Sequence, residues 1–152
     1  MENPPRIFDS EIIITEASKW MFRGNEITLD SVLKYFKENL SEDEEGIFIT
    51  NTYGNLTEKG YVTCNGYPLR FVRWEEENDG FYLIGDNLLK FSLEDLDFYA
   101  DSDEKLYVKH KGDTFLKYSL NRDTHTKMSQ FLDQDSDGYF IQYRNLKKKV
   151  FL

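Results

Sequence analysis

Cysteine and histidine are nearly absent from this chain, which has one of the first and two of the second. The single thiol, Cys64, excludes an internal disulfide framework and a cysteine-rich zinc site, and neither His110 nor His125 sits in a metal-ligand pattern. Long apolar runs are missing too. The longest, Phe81-Tyr82-Leu83-Ile84, falls far short of the roughly 20 residues a membrane helix needs, and Met1-Glu2-Asn3-Pro4-Pro5 shows no basic region followed by an apolar one. The expectation is a soluble cytoplasmic protein with no membrane contact. Positive charge is in deficit, 19 basic against 28 acidic residues for a net charge of −9, which repels a phosphate backbone, so nucleic acid is not an expected partner. A nucleophile elbow, a glycine-rich phosphate loop and a dinucleotide fingerprint are all absent, and no cofactor or catalytic residue is expected.

What is present is aromatic and strand-like. The 12 Phe, 10 Tyr and 2 Trp fall mostly in short segments bounded by Gly, Asn and Asp, which predicts many short strands and an α+β, strand-rich fold. Three hairpins are expected. One joins Tyr61–Cys64 to Tyr67–Trp74 through Asn65-Gly66, a pair suited to a type I′ turn, with Pro68 at a non-bonded position. The others join Phe81–Ile84 to Leu88–Leu93, and Leu106–His110 to Thr114–Tyr118 around Lys111-Gly112-Asp113. Two helices are expected: one capped by Thr28 with Leu29, Val32, Leu33, Phe36 and Leu40 as its stripe, and one capped by Asn121 running through Asp123 to Leu132.

Side by side, these segments repeat at an offset of about 92 residues. Phe36 falls on Met128, Leu40 on Leu132, Gly46 on Gly138 and Phe48 on Phe140. The expectation is an internal duplication: two related halves, 1–77 and 78–152, each with antiparallel strands and one helix. Glu94 to Glu104, rich in acids, reads as a solvated linker that Leu96, Phe98 and Tyr99 can anchor. Asp133-Gln134-Asp135-Ser136-Asp137-Gly138 imitates the start of a calcium loop, but its twelfth position is Arg144 and a strand follows it. Ser41 to Gly46 fails likewise, and acidic turns after helices explain both.

The order of these pieces resembles the bacterial domain of unknown function 1285 family. The residues that carry the resemblance are Trp20-Met21-Phe22-Arg23-Gly24 with Ile27, then Phe48-Ile49-Thr50, Val62 and Pro68-Leu69. In the second half they are Tyr107-Val108, Leu116 to Arg122, and Asp137-Gly138 opening the strands to Phe151-Leu152. Asn51 departs from the family pattern, as does Arg144-Asn145-Leu146-Lys147 before the final strand. The resemblance implies an α+β fold with a repeated motif, no established enzymatic activity, and a role in ligand sensing or signalling.

Within Arg70-Phe71-Val72-Arg73-Trp74, strand alternation puts Arg70, Val72 and Trp74 on one face and Leu69, Phe71 and Arg73 on the other. Arginine beside tryptophan suits an anionic or planar ligand. Trp20, Arg70, Arg73, Trp74 and Arg122 are therefore the candidate contacts of a non-enzymatic module that binds a small molecule or a protein partner. The alternatives are a homodimer built on an exposed strand edge, and a hydrolase using paired surface carboxylates.

Overall fold

The computed structural model describes residues 4–111 and 115–152. The chain divides into two compact units, Met1–Pro68 and Leu69–Leu152. The boundary expected after Glu77 falls instead within a hairpin, where Glu77 pairs with Gly80.

In the first unit β1 (Arg6–Ile14), β2 (Trp20–Phe22) and β3 (Asn25–Glu26) precede α1 (Asp30–Glu38). After the helix come β4 (Leu40–Asp43), β5 (Gly46–Tyr53) and β6 (Leu56–Cys64). Among the described residues they form a six-stranded sheet in the order β3-β2-β1-β6-β5-β4, antiparallel except for the parallel pair β1 and β6. Parallel neighbours require a long crossover, and the rest of the unit lies between these two strands. Ile12, Ile14, Trp20 and Ile49 are its buried centre, with Leu33 and Phe36 packed against them.

The second unit runs β7 (Leu69–Glu77), β8 (Gly80–Gly85), β9 (Lys90–Ser92), β10 (Leu96–Ala100), β11 (Leu106–His110) and β12 (Tyr118–Leu120). Then come α2 (Arg122–Ser129), β13 (Leu132–Asp135), β14 (Gly138–Tyr143) and β15 (Leu146–Phe151). Among the described residues they form a nine-stranded mixed sheet, β13-β14-β15-β10-β11-β12-β7-β8-β9, with β10 parallel to β15. The stretch β12-β11-β10-β15-β14-β13 thus follows the same succession of pairings as the first sheet. Local bonds match as well: Thr50 N–H donates to Asn39 O at 2.9 Å and Gln142 N–H to Phe131 O at 2.8 Å. Asp43 Oδ1 accepts from Glu45 N and Asp135 Oδ1 from Asp137 N, both at 2.9 Å. The acidic strings are therefore turns of the hairpins β4–β5 and β13–β14, their carboxylates bonded to their own backbone.

Several expectations change. The Asn65-Gly66 hairpin does not form: β6 pairs with β1 and β5, whereas β7 pairs with β8 and β12. Neither Asn65 nor Gly66 has the positive φ a type I′ turn demands. Asn65 N–H instead extends the parallel ladder by donating to Ile14 O at 2.8 Å. Helix α1 is capped by Leu29 with no side-chain bond, not by Thr28, and Leu40 lies beyond the helix in β4. Asn121 does cap α2, accepting from Thr124 N at 2.9 Å, but the helix ends before Phe131 and Leu132. Acidic Glu94 to Glu104 is largely not a linker: β10 is a central strand whose Leu96 and Phe98 are fully buried, because its acids alternate with core residues. The hairpin of β8 and β9 pairs as expected, and β11 pairs with β12, whose connecting Gly112-Asp113-Thr114 lies outside the described residues. No helix among the described residues is long and apolar enough to cross a membrane.

Candidate functional site

In the first unit, α1 covers the β1–β6–β5 face without sealing it. The helix carries a clear apolar stripe, yet none of its residues is buried. Between helix and sheet is a cavity of about 330 Å³. Phe8, Ile12, Phe22, Ile27, Val32, Phe36 and Ile49 make its apolar wall, and its few polar groups are Ser10, Tyr35, Asn51 and Glu58.

Each polar group is held in place. Tyr35 donates to Asn51 Oδ1 at 2.6 Å, tying α1 to β5. Ser10 donates to Tyr61 O and accepts from Ile12 N–H at the irregularity between Asp9 and Ile13 in β1. The Glu58 side chain is only 16% exposed; Arg6 approaches one carboxylate oxygen and the Tyr53 hydroxyl the other, both at 3.2 Å. The Glu58 charge pushes the Tyr53 phenol above its ordinary pKa. The rim is aromatic and partly exposed: Phe8 at 36%, Phe22 at 40% and Tyr35 at 45%. Arg6 lies over the Phe8 ring and Arg23 over that of Phe22. Phe8 stands opposite Gly60, whose missing Cβ gives the ring room; a Cβ there would meet it at 3.1 Å. A mostly apolar hollow with a few fixed polar groups is the usual form of a small-molecule site.

Of the sequence-derived candidates, Trp20 lies in this unit. It is buried, its ring stacks on Phe36 at 6.1 Å and 15°, and its Nε1 has no hydrogen-bond partner in the structure. Trp20 supports the Phe36 wall rather than lining the cavity. The other four belong to the second unit. Arg70 is exposed on β7, with its backbone N–H bonded to Asp86. Arg73 is exposed and pairs with Glu75 at 3.6 Å, Trp74 is half-buried under Lys127, and Arg122 is exposed in the first turn of α2. The pairing of β7 with β8 shifts register between Phe71 and Arg73, so strict alternation fails and Arg73 does not share the buried face of Leu69 and Phe71.

A second hollow of about 330 Å³ lies in the second unit and is mixed in character: Asp79, Ser92, Glu94, Arg144 and Asn145 border it together with Phe81, Leu93, Tyr143 and Leu146. The Arg144 guanidinium there donates to Asn78 O at 2.9 Å. Cys64 is half-buried with its thiol directed to Gly66 O at 3.2 Å. Among the described residues no cluster of three or more His, Cys, Asp or Glu side chains could hold a metal ion.

Comparison with solved structures places this architecture. A DUF1285 family protein from Silicibacter pomeroyi DSS-3 matches with a TM-score of 0.72 over 99% of this chain and 84% of its own, at 14% identity. The fold is that of DUF1285 proteins. A second DUF1285 family protein, from Shewanella baltica OS155, matches with a TM-score of 0.55 over 78% of this chain and 90% of its own, at 15% identity. No family model matches the sequence, and no curated protein matches it either. The DUF1285 resemblance carried by short motifs thus recurs in the fold, at identities that show shared architecture and leave function open. Phe8 of the rim carries no signal in the sequence because Asp9, Ser10 and Glu11 interrupt the alternation of β1, whereas Tyr35 lies off the apolar stripe of the expected helix and Asn51 stands out only as a departure from the family pattern.

Proposed function

We propose that the protein is a small-molecule-binding module whose site is the cavity beneath α1. The observation that carries this reading is an amphipathic helix with no buried residue above a hollow of about 330 Å³. Pockets of roughly 300–1,000 Å³ with apolar walls and a few placed polar groups hold small ligands. The partly exposed rim of Phe8, Phe22 and Tyr35 supports the same reading, since clustered exposed aromatics mark interaction surfaces. The sensing role implied by the family resemblance rests on this cavity: a ligand there bridges α1 and the sheet and orders one on the other.

The matching pairings of the two units support an internal duplication whose first copy holds a hollow beneath its helix. In the second copy the helix is closed down, with Thr124 and Met128 of α2 fully buried.

A thermal-shift screen of the purified protein tests the function, because a ligand of the native state raises Tm by mass action. A shift that disappears in Val32→Trp, which fills the cavity from the helix side, is the expected result. Shifts that survive this substitution, or none from any small-molecule class, refute the assignment.

A further inference from the structure

We infer that the occupant of the cavity is a planar aromatic ring carrying one hydrogen-bonding group, an inference that rests on the binding role just proposed. The template is the molecule's own second unit. There Phe81, contributed by β8, a strand without a counterpart among the described strands of the first sheet, packs between the segment that follows α2 and strand β14. Phe81 is 1% exposed and meets Phe131 edge-on at 5.2 Å and Tyr143 at 5.4 Å, while Phe131 and Tyr143 are 5.3 Å apart. The equivalent backbone positions in the first unit are Asn39 and Asn51, fixed by the matching bonds Thr50 N–H to Asn39 O and Gln142 N–H to Phe131 O. Asn51 lines the cavity. So do Phe36 and Ile49, the counterparts of Met128 and Ile141, both fully buried in the second unit.

The comparison defines what is missing. In the first unit a helix and sheet of the same topology lack the inserted ring, and the positions of both its aromatic neighbours, Phe131 and Tyr143, are taken by asparagines. An external ring in the place of Phe81 gains the aromatic walls of Phe8, Phe22, Tyr35 and Phe36, where edge-to-face and offset contacts favour a ring over a flexible chain. It also meets Asn51, whose Nδ2 is a donor and whose Oδ1 accepts from Tyr35. The volume of about 330 Å³ lies at the lower end of the roughly 300–1,000 Å³ range of small-molecule pockets, which suits a single or fused ring with a substituent.

The test compares two probes, indole and octanoate, on the intact protein. Indole at ten times its dissociation constant is expected to raise Tm by about 3–6 °C, with a smaller effect from octanoate. Methyl NMR should show indole shifting Ile12, Ile27 and Ile49 but not Ile141, a readout that needs no variant. Val32→Trp should abolish the Tm shift. Octanoate matching or exceeding indole at the same methyl groups overturns the aromatic assignment and leaves the binding role standing. Binding of neither probe overturns both, and indole shifts away from those three isoleucines place the ring elsewhere and overturn the inference.

Discussion

Gly54 and Arg144 occupy the same position in two hairpins. Tyr53-Gly54-Asn55-Leu56 closes β5 on β6 and Tyr143-Arg144-Asn145-Leu146 closes β14 on β15, each between a paired Tyr and Leu, with φ of 55° at Gly54 and 53° at Arg144. A side chain in this left-handed region costs about 1 kcal/mol that glycine does not pay. Arg144 offsets part of the cost through its bond to Asn78 O. Arg144→Ala loses the bond and keeps the strain, whereas Arg144→Gly loses both. Arg144→Gly is therefore expected to be about 1 kcal/mol more stable than Arg144→Ala in urea denaturation; equal midpoints would show that the backbone there is unstrained.

The same pair explains what could and could not be read from the sequence. Helices, acidic turns and the strands after them repeat at a constant spacing, so Leu40 with Leu132 and Gly46 with Gly138 stood out. The near-identical hairpin tips did not, because β5 has 8 residues and β14 has 6, which breaks the spacing before the tips are reached. Strand β1 was hidden by Asp9, Ser10 and Glu11, where the ladder slips and Glu11 takes a φ of 62°. The acids around Leu96 and Phe98 outweighed their alternation, although alternation is what buries those two side chains. The cavity was illegible for a different reason: Phe8, Asn51 and Gly60 come together only through the register of β1, β5 and β6, which no local pattern reveals.

Gly66 looked like half of a turn and serves as a gap. A Cβ there would lie 2.2 Å from Thr15 O and 2.9 Å from Ser18 Oγ, so backbone must move to admit it. The Ser18 hydroxyl is already fixed, accepting from Tyr67 N–H at 2.8 Å. Gly66→Ala is expected to destabilise by roughly 3 kcal/mol, the upper end for overpacking, while Asn65→Ala changes stability much less. A Gly66→Ala protein with an unchanged denaturation midpoint would mean that the Thr15 loop yields freely.

Asp43 and Tyr61 give stability a dependence at both ends of the pH scale. Tyr61 donates to Asp43 Oδ2 at 2.6 Å. That bond is the main reason the Asp43 carboxyl titrates below its ordinary value of 3.8, helped by the Glu45 backbone N–H and Lys59 against the opposing effect of burial. The same bond, reinforced by burial and the Asp43 charge, pushes the Tyr61 phenol up to about 12. For Asp43 the folded value is lowered, so its contribution is complete above pH 3.8 and lost as pH falls below it. For Tyr61 the folded value is raised from 10.0, so its contribution is complete below pH 10 and lost as pH rises toward 12. Tyr61→Phe should flatten both limbs of the stability profile relative to the wild type and remove the latest phenolate from an ultraviolet titration. Parallel profiles for the two proteins would refute the coupling.

Phe81 is the ring whose loss should turn the second unit into a likeness of the first. It is 1% exposed and packed between Phe131 and Tyr143, so Phe81→Ala removes both buried area and packing and is expected to cost about 3–5 kcal/mol. The hole it leaves is bounded by the rings of Phe131 and Tyr143, and apolar cavities of this kind accept small aromatic molecules. Indole should therefore recover part of the lost Tm in Phe81→Ala, beyond any shift it produces in the wild type, and octanoate should recover less. A loss under about 1 kcal/mol would show that Phe131 and Tyr143 collapse into the space. In that case ring shape would belong to Phe81 alone and not to the space between Phe131 and Tyr143.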